Sequence, residues 1–204
     1  SYSVRQTDDK ESQLMRIINN VPGCGIVYVR MRNTAERVAN FLIEQGFSAS
    51  FYHGGLPNAE REMRQDEWVS GKTRIMVATN AFGMGIDKRD VRFVVHYTMS
   101  DSLESYYQEA GRAGRDGERS YAVILKASND NNRIIDIFEK EFPDIQLIQS
   151  VYHELCSYLG VAIGDGKEAS FVFNIYEFCK HIKLPIITVH SIIKLLQLNG
   201  YMTL

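Results

Sequence analysis

Two arginines stand three residues apart among glycines in the segment Gln108-Glu109-Ala110-Gly111-Arg112-Ala113-Gly114-Arg115-Asp116-Gly117. Those residue types suit the grip of a phosphate. Arginine presents a planar fork of donors that stays charged, and glycine removes the side chain that would hold a backbone away from a ligand. A charged, glycine-rich surface loop would have the same composition, so the segment does not decide its own role. A second block adds weight: Ile75-Met76-Val77-Ala78-Thr79-Asn80-Ala81-Phe82-Gly83-Met84-Gly85-Ile86-Asp87-Lys88, followed by Val91-Arg92-Phe93-Val94-Val95-His96-Tyr97. Two apolar runs rich in Val and Ile bracket a loop of Thr, Gly, Gly and Asp. Such runs suit a parallel sheet covered on both faces, and ligands of such sheets lie beyond the carboxyl ends of the strands, where this loop would be.

The elements that must position these residues follow from the pattern upstream. Ser1 to Val4 reads as an entering strand and Gly25 to Val29 as a second one. Asn33 predicts a cap for a helix over 34–45, whose Ala35, Val38, Ala39, Leu42 and Ile43 form an apolar face and which stops at Gly46. Ser50 to Leu56 is a strand running into a glycine turn, and Pro57 opens a helix over 58–70 that ends at Gly71. Strand, helix, strand, helix, strand predicts an α/β lobe around a mostly parallel sheet.

With these residues in view, the chain resembles the second RecA-like lobe of the RecQ family of superfamily 2 DNA helicases, over about Tyr2 to Leu125. Ala78-Thr79 with Phe82-Gly83-Met84-Gly85-Ile86 is similar to that family's fifth helicase motif, and Gln108 through Gly117 to its sixth. RNA helicases of the DEAD-box type begin the sixth motif with His-Arg where this chain has Gln108-Glu109, which favours a DNA motor. Gly25 to Arg32 resembles the fourth motif, with Val29 and Met31 replacing the usual Cys and Ser; Met31 cannot supply a hydroxyl.

The resemblance implies a RecA-like lobe of the P-loop NTPase type. It further implies that Arg112 and Arg115 act on ATP across a lobe interface, with Gln108 orienting them or the surroundings of the attacking water, while Gly85 and Asp87 line the nucleotide cleft and sense its state. Thr79, Arg32, Tyr28, His53 and Gly54 would meet DNA. Asp87 also reads as a turn residue pairing with Lys88 or Arg89, and His53 as a structural turn histidine. An arginine supplied to the γ-phosphate is worth about a thousand-fold to a hundred-thousand-fold in rate. The implied cofactors are ATP and Mg2+, the latter held by an N-terminal RecA-like lobe of the same protein. The implied activity is 3′ to 5′ unwinding, with single-stranded or partially duplex DNA as partner.

An ATPase also needs a P-loop and an acidic strand end for magnesium. Gly71-Lys72-Thr73 mimics the end of a P-loop, but Asp66 stands where its first glycine belongs, and the triplet follows a predicted helix and precedes a strand, the reverse of the genuine order. Asp66-Glu67-Trp68-Val69 falls inside an amphipathic helix, with Trp68 expected in the core. The chain therefore reads as half a motor, inactive alone. A module that binds nucleic acid without a motor role, and a lobe of an RNA helicase or remodeller, are the alternative readings.

Of 204 residues 45% are apolar and 24% charged, and the net charge of −2 excludes a generally basic nucleic-acid glove, so DNA contacts must be local. No apolar run is long enough to span a membrane and no secretory signal is visible, which predicts a cytoplasmic, intracellular protein, nucleoid-associated in a bacterium. Cys24, Cys156 and Cys179 lack paired spacing and predict reduced, mostly buried thiols. The four-cysteine zinc module common in RecQ proteins has no counterpart here, so neither zinc nor another metal site is expected.

The character of the chain changes after Leu125. The predicted domains are a lobe over 1–127, a helical linker over 128–145 containing a helix at 132–142, and a helical, winged-helix-like segment over 146–204. Within the last, Ile148, Val151, Tyr152, Leu155 and Leu159 recur at helical spacing, Ser170 to Phe173 reads as a strand, and helices are expected over 175–183 and 188–198. The final helix offers His190 and Lys194 as DNA-facing cations, whereas Val189, Ile192, Ile193, Leu195 and Leu196 read as packing surface, which makes docking the favoured role over base reading. The chain stops where a wing would form, which predicts a fragment with more protein on either side.

Overall fold

A computed structural model describes residues 1–83, 86–132, 135, 143–165 and 169–203. The chain divides into two compact units, Ser1–Asp130 and Asn131–Leu204.

In the first unit the apolar runs become the inner strands of a six-stranded, wholly parallel sheet. The strands are β1 (Tyr2–Gln6), β2 (Cys24–Tyr28), β3 (Ala49–Tyr52), β4 (Ile75–Ala78), β5 (Val91–His96) and β6 (Tyr121–Lys126), in the spatial order β1-β6-β5-β2-β4-β3. Every residue of β2 and β4 is buried, as a strand covered on both faces requires, while the edge strand β1 is largely exposed. Period-2 alternation sorts the side chains into two cores. Val27, Ile75, Val77, Phe93 and Val95 face the helices α1 (Lys10–Asn20) and α2 (Arg32–Glu44), meeting Leu14, Ile18, Val38 and Leu42. Ile26, Tyr28, Met76, Ala78 and Val94 face the other way, against Trp68 of α3 (Asn58–Val69) and the loop residues Phe82 and Ile86.

Trp68 is fully buried as expected, edge-on to Phe82 at 5.4 Å, and its indole N–H donates to the Gly25 carbonyl at 3.3 Å. Burying one such side chain is worth about 1.5–3 kcal/mol. Gly71-Lys72-Thr73 lies in the turn from α3 into β4, helix before strand. Asp9 caps α1 by accepting from the Ser12 N–H at 3.0 Å, and Ser102 caps α4 (Leu103–Ala110) by accepting from the Ser105 N–H at 3.1 Å. Two details of α2 differ from expectation. It starts at Arg32 with extended Met31 in the cap position, which leaves Asn33 inside the first turn, and Ile43 faces solvent because the apolar stripe closes at Leu42. The lobe is closed behind β6 by Lys10, whose ammonium donates to Asp130 Oδ2 at 2.7 Å and to the Tyr97 carbonyl at 2.9 Å.

The second unit packs α5 (Ile145–Leu159), α6 (Ile175–Ile182) and α7 (Ile186–Leu198) around Val151, Leu155, Phe178, Val189, Ile192, Ile193 and Leu196. Asp144 and Asn174 cap α5 and α6 through Leu147 N–H at 2.8 Å and Tyr176 N–H at 3.0 Å. The strand expected at Ser170 to Phe173 does not form: the segment is irregular, Val172 is fully exposed, and Phe173 packs against the helical core. A strand needs a neighbour to take its backbone hydrogen bonds, and the described residues of this unit provide none. The α7 face carrying Val189, Ile192, Ile193 and Leu196 is buried, with His190 and Lys194 exposed opposite. The helix expected over 132–142 falls mainly outside the described residues. The three cysteines are buried and free, and burial pushes the Cys24 and Cys179 thiols up. No described helix is long and apolar enough to cross a membrane.

Candidate functional site

The sheet order places a topological switch between β2 and β5, since the connection from β2 runs through α2 towards β3 and that from β5 through α4 towards β6. A crevice opens there, beyond the strand ends, lined by Tyr28, Arg30, Asn80, His96, Ser100 and Glu109 among others. Arg30 and Asp101 pair across its rim at 3.2 Å.

The two glycine-containing blocks fold against each other beside this crevice. Arg112, half-buried in the turn after α4, donates from Nη1 to the Gly83 carbonyl at 2.7 Å, while its buried Nε has no hydrogen-bond partner among the described residues. Arg115 makes longer contacts, 3.3 Å to the Ile86 carbonyl and 3.4 Å to Asp87 Oδ1. Asp87 also lies 3.9 Å from Arg89, so it serves as the turn partner read from sequence and as a partner of Arg115. Backbone bonds from Gly114 N–H to the Val91 carbonyl at 2.9 Å and from Asp116 N–H to the Arg89 carbonyl at 3.3 Å hold the loops together, and Arg92 pairs with Asp116. Gln108 is exposed on α4 with its amide 3.4 Å from Glu104, apart from both arginines' contacts. Gly85 lies outside the described residues.

The residues expected to meet DNA divide into exposed and buried sets. Arg32 is exposed at the start of α2, its guanidinium lying across Gly55, where an added Cβ would come within 2.8 Å of Nη1. Gly54 is exposed in the same turn. His53 is buried: its Nδ1 accepts from the Gly55 N–H at 3.2 Å, which puts the ring hydrogen on Nε2, 3.0 Å from Glu36 Oε1. Both ring nitrogens thus hold the turn in shape. Thr79 is buried at the end of β4, its carbonyl accepting from the Phe82 N–H at 3.0 Å. Tyr28 is inside the protein, donating to the Phe82 carbonyl at 3.1 Å, so its part is to hold the loop that carries Gly83. Burial pushes its hydroxyl above the ordinary phenol range, against the opposing pull of Arg112.

Sequence reasoning gave His96 and Ser100 no role and used Glu109 only to separate DNA from RNA motors. His96 is fully buried with Nε2 2.8 Å from Glu109 Oε2, and the Ser100 hydroxyl donates to the same oxygen at 3.0 Å. A histidine ending the apolar run Phe93-Val94-Val95 was the available signal.

The profile of the helicase conserved C-terminal domain matches residues 9–117, more than half of the chain. The chain belongs to that family. Its curated relatives include DNA helicases of the RecQ type. It is 44% identical over 124 residues to rat ATP-dependent DNA helicase Q5, covering 61% of this chain and 13% of that protein. It is 44% identical over 133 residues to ATP-dependent DNA helicase hus2/rqh1 of Schizosaccharomyces pombe, covering 64% and 10%. To the probable ATP-dependent DNA helicase RecS of Bacillus subtilis it is 38% identical over 125 residues, covering 61% and 25%. The matched region thus spans a quarter or less of each of these relatives. Among solved structures, the C-terminal domain of the DEAD-box protein Dbp5 is similar with a TM-score of 0.55 and 26% identity, over 71% of this chain and 84% of that one. A DEAD-box protein from Methanococcus jannaschii gives 0.58 and 27%, over 68% and 38%. The α/β lobe described above therefore has the RecA-like fold of helicase C-terminal lobes.

Proposed function

We infer that this helicase lobe supplies arginines to ATP hydrolysis in a RecQ-type 3′ to 5′ DNA helicase, closing on an N-terminal RecA-like lobe of the same protein. The observation carrying the reading is the state of Arg112: its Nη1 rests on the Gly83 carbonyl, and its buried Nε has no acceptor among the described residues. A charged, planar guanidinium beside a glycine loop suits an incoming phosphate, and Gly83 keeps the space beside it clear of a side chain. ATP, when bound, supplies the phosphoanhydride whose cleavage drives the motor. The chain's own part is to hold positive charge where negative charge develops, through Arg112 and Arg115, with Asp87 setting the direction of Arg115. Among the described residues no cluster of His, Cys, Asp and Glu fits a metal ion, and magnesium belongs with the N-terminal lobe.

DNA contact falls to the exposed set, Arg32 and the Gly54 turn, with Thr79 behind them at the strand end. With a net charge of −2, the lobe grips a few backbone phosphates, and the partner lobe provides the remaining contacts. The chain by itself does not hydrolyse ATP.

The test is single-strand-stimulated ATP hydrolysis by the full-length protein. Arg112→Ala is expected to lower turnover about a thousand-fold or more with nucleotide and DNA binding kept. Unchanged turnover overturns the arginine assignment.

A further inference from the structure

The geometry points to Glu109, acting through His96 and Ser100, as a positioning residue for Arg112. This rests on the reading of Arg112 as the residue that acts on ATP.

Five contacts close a ring through the site. Glu109 Oε2 lies 2.8 Å from His96 Nε2. The His96 ring stacks on Tyr28, with centroids 5.5 Å apart and planes 21° apart. The Tyr28 hydroxyl donates to the Phe82 carbonyl at 3.1 Å. The next carbonyl, that of Gly83, accepts from Arg112 Nη1 at 2.7 Å. The Arg112 N–H returns to the Glu109 carbonyl at 3.2 Å. One end of the ring sets the backbone from which Arg112 departs, and the other sets the carbonyl on which its guanidinium rests. Glu109 belongs to both ends.

The chemistry explains why a carboxylate is held there. An ionised carboxylate only accepts hydrogen bonds, so His96 must carry its hydrogen on Nε2, and the Ser100 hydroxyl donates to the same oxygen at 3.0 Å. His96 is fully buried and Glu109 is 9% exposed, so the bond between them lies largely out of water. The ring of Tyr106 packs on His96 at 4.9 Å and restricts its rotation. His96 ends β5 and Glu109 sits one residue before the end of α4, so this contact fixes the angle at which α4 delivers the turn carrying Arg112. Without the carboxylate, the buried His96 N–H and the half-buried Ser100 hydroxyl lose their acceptor and the helix end loses its tether to the sheet.

The experiment uses the full-length helicase and separates turnover from binding. Glu109→Ala is expected to lower single-strand-stimulated kcat by up to about a hundred-fold, the scale of an ångström-sized misplacement of a reacting group. KM for ATP and affinity for DNA should stay within about two-fold, since no ground-state contact is lost. Glu109→Gln, whose amide oxygen can accept from both His96 and Ser100, should restore most of the turnover. In an Arg112→Ala background, Glu109→Ala should cost nothing further, because two residues that act through one group are non-additive. A full additional loss in that background overturns the inference while leaving Arg112 in place. An Arg112→Ala protein with normal turnover overturns the earlier reading of Arg112, and this one with it. If Glu109→Ala does not fold, Ser100→Ala removes one of the two donors and should lower kcat several-fold at constant KM; no change there also overturns the inference.

Discussion

Arg112 and Gly83 are built to fit each other: Nη1 donates to the Gly83 carbonyl at 2.7 Å, and a Cβ added to Gly83 would lie 2.2 Å from Nη2. Gly83 also has a φ of +139°, which side chains other than hydrogen rarely accept. The glycine that shapes the loop is thus also what lets the guanidinium lie against it.

Gly83→Ala should therefore have two separable effects. Strain at the backbone should cost about 1–3 kcal/mol of stability, measured by urea unfolding of the lobe. Displacement of Arg112 should lower turnover of the full-length helicase towards the level of Arg112→Ala. A variant with normal turnover and normal stability would show that the loop adapts without moving the guanidinium.

The bond between Lys10 and Asp130 invites a second prediction, because both side chains are nearly buried and the two residues are far apart in sequence. Asp130 Oδ2 also accepts from the Ala127 N–H at 2.8 Å, so the pair fastens the chain after β6 to the start of α1. Lys10→Met should destabilise the lobe by about 3–5 kcal/mol, since it leaves a carboxylate with no cation to offset its burial. The double variant Lys10→Met with Asp130→Asn should recover part of that loss. Chemical denaturation of the four proteins in the cycle checks both statements, and equal loss in the single and double variants would refute the pairing.

The α/β architecture was legible because β2 and β4 are apolar on both faces and β5 nearly so, and that pattern survives without any knowledge of neighbours. Glycine stops and the burial of Trp68 were legible for similar local reasons. Strand order was not: β1 pairs with β6 across more than a hundred residues, and no local signal records that partnership. The error at Ser170 to Phe173 has the same origin, since alternating aromatic and β-branched residues favour a strand only when a second strand is available. At the site, Arg112 and Arg115 stood out through residue type and spacing. His96 and Glu109 did not, because thirteen positions separate them and only the sheet-to-helix turn brings them to 2.8 Å. The DNA-facing roles of Tyr28 and His53 came from the resemblance, and both side chains are buried, Tyr28 against the Phe82 carbonyl and His53 between Glu36 and the Gly55 N–H.

That division between exposed and supporting residues yields the last prediction. Arg32 is an exposed cation at the mouth of the Gly54 turn, whereas His53 has both nitrogens engaged, one with the Gly55 N–H and one with Glu36. If Arg32 neutralises a backbone phosphate, Arg32→Ala in the full-length helicase should weaken single-strand binding and reduce the slope of log K against log salt by about one contact. His53→Ala should also weaken binding, because the turn loses its internal bonds, but the salt slope should stay at the parent value since no cation has been removed. Salt titrations of fluorescence anisotropy with a labelled oligonucleotide distinguish the two. An unchanged slope in Arg32→Ala would move the phosphate contact elsewhere on the lobe, and a reduced slope in His53→Ala would mean that His53 leaves Glu36 and meets DNA as a cation.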